Sequence, residues 1–150
     1  MEIFIGADHR GVEFKSKIKN IVKQLGYTVK DLGTDSTESC DYPVIAQKVA
    51  NAVVKTKEGR GILVCMSGIG QSIAANKVRG INAALCYNTE AAQLSRLHNN
   101  ANVLVLSAKF VKPEELEPIL KIWLKTEFEG GRHERRIKLI RDIEDGRLLQ

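Results

Sequence analysis

Cys65 closes the apolar run "GILVC" and opens the stretch "CMSGIGQSIAANK" (65–77), where Gly68 and Gly70 lead into a helix of small residues. An unperturbed thiol has a pKa of about 8.5, so only about 3% is thiolate at pH 7, and a helix N-terminus lowers that value. Backbone N–H groups in such a loop make a cradle for an oxyanion or a phosphate. Cys65 is therefore read as a base or nucleophile beside an anion-binding loop. The competing readings are a buried cysteine acting as a small hydrophobe and a turn that needs glycine only for packing.

Other phosphate loops fit less well. The segment lacks the Gly-Lys-Ser/Thr ending of a Walker A loop, and "GIGQSI" has Ile73 where the dinucleotide fingerprint wants Gly or Ala. His9, His98 and His133 each stand beside a polar or turn-like stretch, in "ADHRG", "RLHNN" and "GGRHERR". Without a carboxylate known to lie close and without a two-His helical spacing, they are expected to make a poor metal site. Arg132 and Arg136 lie four residues apart, on one face of a helix, and paired guanidinium groups suit bidentate contact with a phosphate dianion.

These residues must be positioned by a regular scaffold, and the sequence supplies one. Strand-like runs "IFIGA" (3–7), "YTVKDLG" (27–33), "GILVC" (61–65), "INAALC" (81–86) and "NVLVLS" (102–107) alternate with helical patterns. The helices are marked by Phe14, Ile18 and Val22 before the stop at Gly26, by Ile45, Val49 and Val53 after Asp41 and Pro43, by "NTEAAQLSRLHNN", and by Leu116, Ile119, Leu120 and Trp123 despite Pro118. Such alternation predicts an α/β protein: one domain over 1–150, a three-layer α/β/α sandwich around a Rossmann-like parallel sheet of about five strands. Ligands of such sheets bind at the carboxyl ends of the strands, near a switch in strand order. That rule selects Asp8, His9 and Arg10 after the first strand and Cys65 to Gly70 after the third. The last segment, "GGRHERRIKLIRDIEDGRLLQ", carries a stripe of Ile137, Ile140 and Ile143 with no strand after it to cover, and is expected to exchange between subunits of a dimer.

Composition narrows the classes. With 150 residues, 43% hydrophobic and 27% charged, the chain is long enough for one sizeable core. The formal charge of +5 is spread out, and sparse aromatics do not interleave with it, which argues against a nucleic-acid platform. No run approaches the roughly 20 apolar residues of a membrane span, and the opening "MEIFIGADHRG" lacks a signal-peptide pattern. Three cysteines, an odd number without metal-like spacing, suit a reducing cytoplasm.

The motifs "ADHRG", "TDSTESCDYP", "CMSGIGQSIAANKVRGINAALC", "LSRLHNNANVLVL" and "EGGRHERR", in this order over nearly the whole chain, resemble type B ribose-5-phosphate isomerase and its sugar-phosphate isomerase relatives, which include galactose-6-phosphate isomerase. The resemblance implies a metal-free and cofactor-free aldose–ketose isomerase that interconverts ribose 5-phosphate and ribulose 5-phosphate through a cis-enediolate. It further implies a homodimer, sometimes a homotetramer, with its site between subunits. Carried onto this chain, Cys65 is the base, and Ser67 contacts substrate oxygens. The N–H groups from Met66 through Gly68 and Ile69 to Gly70 face the developing oxyanion, while His98 opens the furanose ring beside Asn99. Asp8 and His9 bind substrate, and Arg132 and Arg136 clamp the phosphate from the partner.

Some relatives use a Glu where this chain has Gln71, which places it in the cysteine-base group. Lys109 stands where many relatives have an arginine contacting phosphate. Met66 replaces a frequent glycine and is expected to crowd the cradle, which leaves hexose 6-phosphates open as substrates. A non-catalytic sugar-phosphate sensor is disfavoured by Cys65, Ser67 and His98 occurring together.

Overall fold

Runs without a polar interruption become the middle of the sheet, and their flanking amphipathic runs cover it. The computed structural model describes residues 1–147, so the last three residues of the C-terminal segment lie outside the described residues. The strands are β1 (Glu2–Ala7), β2 (Thr28–Asp31), β3 (Arg60–Cys65), β4 (Ala83–Leu85) and β5 (Val103–Ser107). The helices are α1 (Val12–Gln24), α2 (Tyr42–Lys55), α3 (Ile69–Ala75), α4 (Thr89–Leu97), α5 (Pro113–Lys125) and α6 (Arg132–Glu144). The five strands form one sheet in the order β2-β1-β3-β5-β4, with every neighbouring pair parallel.

Side chains that alternate along a strand face opposite layers. Ile3, Ile5, Ile62, Val64, Leu104 and Leu106 therefore meet Ile18 and Val22 of α1 and Leu116, Ile119 and Trp123 of α5 on one side. Phe4, Leu63, Val103 and Val105 meet Ile45, Val49 and Val53 of α2 on the other. Complete burial of one such side chain stabilises the fold by about 1.5–3 kcal/mol, so both faces need their helices and the three expected layers follow.

Two local features differ from the sequence expectation. β4 is shorter than the 81–86 run because it lies at the sheet edge, where one flank has no partner strand. Asp41 precedes α2 without a side-chain capping bond, whereas the Asn88 side chain accepts from Ala91 N–H at 2.8 Å and caps α4. The end of α6 makes polar contacts within its own chain: Glu144 accepts from Gly80 N–H at 2.9 Å, Arg141 donates to the Gly80 carbonyl at 3.2 Å, and Asp145 pairs with Arg79. Its stripe nevertheless stays uncovered, with Ile140 43% and Ile143 59% exposed. No helix among the described residues is long and apolar enough to cross a membrane.

Candidate active site

The strand order reverses between β1 and β3: the chain steps from β1 outward to β2, then crosses back to the far side of β1. Ala7 of β1 pairs in register with Val64 of β3, so Asp8 and Cys65 emerge together at the carboxyl end of this switch point. The Cys65 thiol donates to Asp8 Oδ2 at 2.7 Å, and the second carboxylate oxygen accepts from Arg10 N–H at 3.0 Å. Asp8 is only 3% exposed.

Gly68 makes the loop possible. Its φ of 82° lies in the left-handed region, and a Cβ there would come within 2.6 Å of Leu85 Cδ1. The loop tucks against β4 and turns the Met66 and Gly68 N–H groups onto the Cys65 sulfur. The Ser67 hydroxyl accepts from Ile69 N–H at 3.3 Å and starts α3, and Tyr87 donates to the Ser67 carbonyl at 3.3 Å. Gly70 leaves the space taken by the Tyr42 ring, which a Cβ would meet at 2.5 Å.

The expected acidic thiol is corrected here. Burial first, then the hydrogen bond and negative charge of Asp8, push the Cys65 thiol up to about 11. The Met66 and Gly68 N–H groups pull in the other direction and are outweighed. α3 has only seven residues, the loop carries no cationic side chain, and the Asp8 carboxylate lies 2.7 Å from the sulfur.

Met66 also departs from expectation. It is 41% exposed, and its sulfur accepts from Arg10 Nη1 at 2.9 Å at the rim of the loop. Lys109 joins this rim through its N–H, which donates to the Met66 carbonyl at 3.1 Å, while its ammonium lies 5.5 Å from the Phe110 ring centre. Gln71 is fully buried and donates to the Val64 carbonyl at 3.1 Å. His9 Nδ1 accepts from Cys40 N–H at 3.3 Å. The loop that brings Cys40 there is fixed by Lys15, whose fully buried ammonium pairs with Asp31 at 2.9 Å and Asp35 at 2.8 Å and donates to the Thr34 carbonyl at 2.7 Å. Sequence reading missed Lys15, because a lysine on an amphipathic helix reads as solvated.

The remaining candidates gather at the other end of the sheet. α4 runs back from the carboxyl edge, so His98 and Asn99 arrive where β3, β4 and β5 begin: the Asn99 carbonyl accepts from Asn82 at 3.0 Å, and the Asn102 carbonyl accepts from Gly61 N–H at 2.8 Å. The four steps along β3 from Gly61 to Cys65 span about 13 Å at the strand rise. His98 and the Cys65 thiol of one chain are thus kept apart by the sheet itself.

Around His98 lies a second constellation. Its ring stacks on His133 with centroids 4.2 Å apart and planes 10° from parallel. Glu129 reaches both rings at 3.7 Å, and Arg132 Nε lies 3.4 Å from His133 Nε2. Glu129, four residues before His133, is thus the close carboxylate, and the ligand atoms of His98, Glu129 and His133 lie within 4.8 Å of one another. Such a set has the ligand types for a metal, although Arg132 beside it opposes a cation. Burial, then the nearness of His98 and Arg132, lower the His133 pKa and favour the neutral ring. Arg132 and Arg136 are exposed, one turn apart on α6. A contact from His133 to His98 follows from tertiary packing, and its one sequence signal was its place in "GGRHERR".

Residues 3–140 match the family described as Ribose/Galactose Isomerase. The chain is 47% identical to ribose-5-phosphate isomerase B of Clostridium thermocellum, whose structure superposes with a TM-score of 0.94 over 97% of this chain and 99% of that one. It is 43% identical to ribose-5-phosphate isomerase B of Escherichia coli over 146 residues, 97% of this chain and 98% of the relative. It is also 45% identical to a D-erythrulose-4-phosphate isomerase of Pectobacterium atrosepticum over 132 residues, 87% of each chain. With its motifs, its sheet order and these likenesses in agreement, the chain belongs to the ribose/galactose isomerase family and is an isomerase.

Proposed function

We propose that the protein interconverts D-ribose 5-phosphate and D-ribulose 5-phosphate in the cytoplasm as a homodimer. Each site draws Cys65, Asp8 and the Met66–Gly70 loop from one subunit, and His98, Arg132 and Arg136 from the other. The observation that carries the reading is the 2.7 Å contact between the Cys65 thiol and Asp8 at the switch point of the sheet. Two findings support the partner's share: His98 stands at the opposite edge from Cys65, and α6 leaves Ile140 and Ile143 uncovered. The three free thiols suit a reducing compartment.

A thiol held near 11 is no resting base at pH 7, and Asp8, which helps to hold it protonated, is also the group in contact that can take its proton, in an uphill step made during turnover. Passing the thiol proton to Asp8 leaves a thiolate without changing the net charge of the pair, and the Met66 and Gly68 N–H groups stabilise that sulfur. His98 first opens the furanose ring by moving a proton between ring oxygen and anomeric hydroxyl. The thiolate then takes the C2 proton, the C–H electron pair becomes the C1–C2 double bond, and the C1 carbonyl oxygen becomes the enediolate oxyanion. The C2 oxygen gives its proton to the C1 oxygen, Cys65 returns its proton to C1, and the ketose results. Asp8 holds the original thiol proton throughout and then gives it back. Each loop donor aimed at the oxyanion is worth about 2.7–4 kcal/mol.

A substrate of different chain length is favoured by one observation: a 45% identical relative is named for a four-carbon phosphate. The test is to mix purified protein with ribose 5-phosphate and follow ribulose 5-phosphate beside tetrose and hexose phosphates, with a chelator present. The reading expects ribose 5-phosphate to turn over fastest, without added metal, and Cys65→Ala to lose nearly all of the rate. Binding of ribose 5-phosphate without turnover would make the protein a sensor, and an active Cys65→Ala would remove the base assignment.

A further inference from the structure

Arg60 and Arg96 are 9% and 5% exposed, yet neither pairs with a carboxylate among the described residues. Buried charges are ordinarily paired. Here backbone carbonyls do part of that work. Arg60 Nη1 donates to the Trp123 and Leu124 carbonyls at 3.0 and 2.9 Å, at the end of α5, and its guanidinium lies 5.4 Å from the Trp123 ring centre. Arg96 donates through Nε to the Thr126 carbonyl at 3.2 Å, and through Nη1 to the Ala101 carbonyl at 2.6 Å and Asn100 Oδ1 at 3.0 Å.

Those bonds leave Arg60 Nε and Nη2 and Arg96 Nη2 without a hydrogen-bond partner among the described residues. They are not sealed in either, since the unpartnered atoms cut off from solvent are Gln71 Oε1 and Trp123 Nε1. Both arginines line a cleft of about 490 Å³, with Glu58, Asn100, Asn102 and Glu127 around it. Burial first, and then the charge of Arg60, push Arg96 down to about 10, so each cation feels the other. The rim is conformationally unusual as well. Glu58 (φ 59°) and Asn100 (φ 46°) are the non-glycine residues with left-handed backbone among the described residues, and both border this cleft. Backbone strain of this kind gathers at ligand sites.

We propose that the Arg60–Arg96 cleft is a second oxyanion site, one that takes the phosphate group of a small phosphorylated metabolite or free phosphate. Arg60 begins β3, at the opposite end of that strand from Cys65, and the site requires nothing of the isomerase reading. A phosphate dianion matches the unused N–H groups, which can meet it pairwise, and a cleft of this size leaves room for a short carbon skeleton. Glu127 and Glu58 are exposed and turn to solvent when the anion enters. Bound anion ties the end of α5 and the Thr126 segment to β3, so occupancy raises the unfolding temperature by mass action.

The test uses the full chain carrying Arg132→Ala and Arg136→Ala, which removes the cations of the other cluster, titrated with inorganic phosphate against chloride of equal ionic strength. Saturable binding of one phosphate per chain is expected, with a matching rise in unfolding temperature. Adding Glu127→Gln removes a competing negative charge without touching the carbonyl contacts of either arginine, and should tighten binding several-fold. Adding Arg96→Gln should abolish it. Because Arg96→Gln also threatens the fold, the Glu127→Gln result decides. Binding that does not saturate, or an affinity that Glu127→Gln leaves unmoved, overturns the site. A phosphorylated sugar that binds more tightly than free phosphate, and whose affinity rises with Glu127→Gln as that of phosphate does, would identify the metabolite; a sugar phosphate whose affinity Glu127→Gln leaves unmoved would assign the cleft to phosphate itself.

Discussion

The two ends of this sheet hold their reactive groups in different ways. At the carboxyl edge, Asp8 and Cys65 sit on the ends of adjacent central strands, fixed by strand register and facing each other at 2.7 Å with Asp8 almost fully buried. At the amino edge, His98 stands at the end of α4 and Arg132 at the start of α6, beside an exposed Glu129. Breaking a carbon–hydrogen bond calls for a base fixed to a fraction of an ångström, and strands supply that. Opening a ring and gripping a phosphate call for groups that meet the substrate from outside. The proposed dimer would account for the exposure of Arg132 and Arg136 in one chain, because a second copy would present them to the site.

That contrast can be broken by experiment. The largest effect is expected at the amino edge, where His98→Asn should lower turnover of ring-closed ribose 5-phosphate by about 10²–10⁴-fold while sparing a substrate that cannot cyclise. Equal losses on both substrates would move His98 out of ring opening. Arg132→Ala should raise KM several-fold or more with kcat less affected, and steady-state kinetics showing the reverse would contradict a phosphate clamp.

At the carboxyl edge, Gly68→Ala forces a Cβ into the left-handed region and against Leu85. It should cost about 1–3 kcal/mol, seen as a fall of several degrees in Tm. An unchanged Tm would mean that the loop reshapes freely.

The smallest effect is one of pH. The folded chain binds the Cys65 proton more tightly than the unfolded chain does, so this contribution to stability is complete below the ordinary value of 9.0 and is lost as pH rises through about 11. Site-resolved iodoacetamide labelling should therefore accelerate only in that range. Asp8→Asn removes the charge and offers an amide N–H to the thiolate, and should bring the midpoint down, though not to an unburied thiol's value, since burial remains. Labelling that is already maximal at pH 7 would show an acidic thiol and make the Asp8 relay unnecessary.

Much of this was legible in the residues. Unbroken apolar runs such as "GILVC" gave the central strands, and the β-α alternation gave the parallel sheet and its binding edge. The loop of Cys65 was legible because Gly68 and Gly70 bracket it. The sign of the thiol's shift was not, since Asp8 lies 57 residues away from Cys65 in sequence and meets it only through strand register. The same holds for the stacking of His98 on His133, the burial of Lys15 against Asp31, and the cleft between Arg60 and Arg96. Each joins residues from segments that no local pattern pairs with one another. Local periodicity tells which face an element turns inward; it does not tell which polar groups from distant segments converge when those faces close.

The account stands most directly on a mixing experiment. Cys65→Ala and His98→Asn chains, each nearly inactive alone, are unfolded together, refolded and assayed on ribose 5-phosphate. Sites shared between subunits predict recovery to about a quarter of wild-type activity, because half of the randomly formed dimers carry one intact site of two. A mixture no more active than its parents would place Cys65 and His98 of the same chain in one site, against the geometry of the sheet.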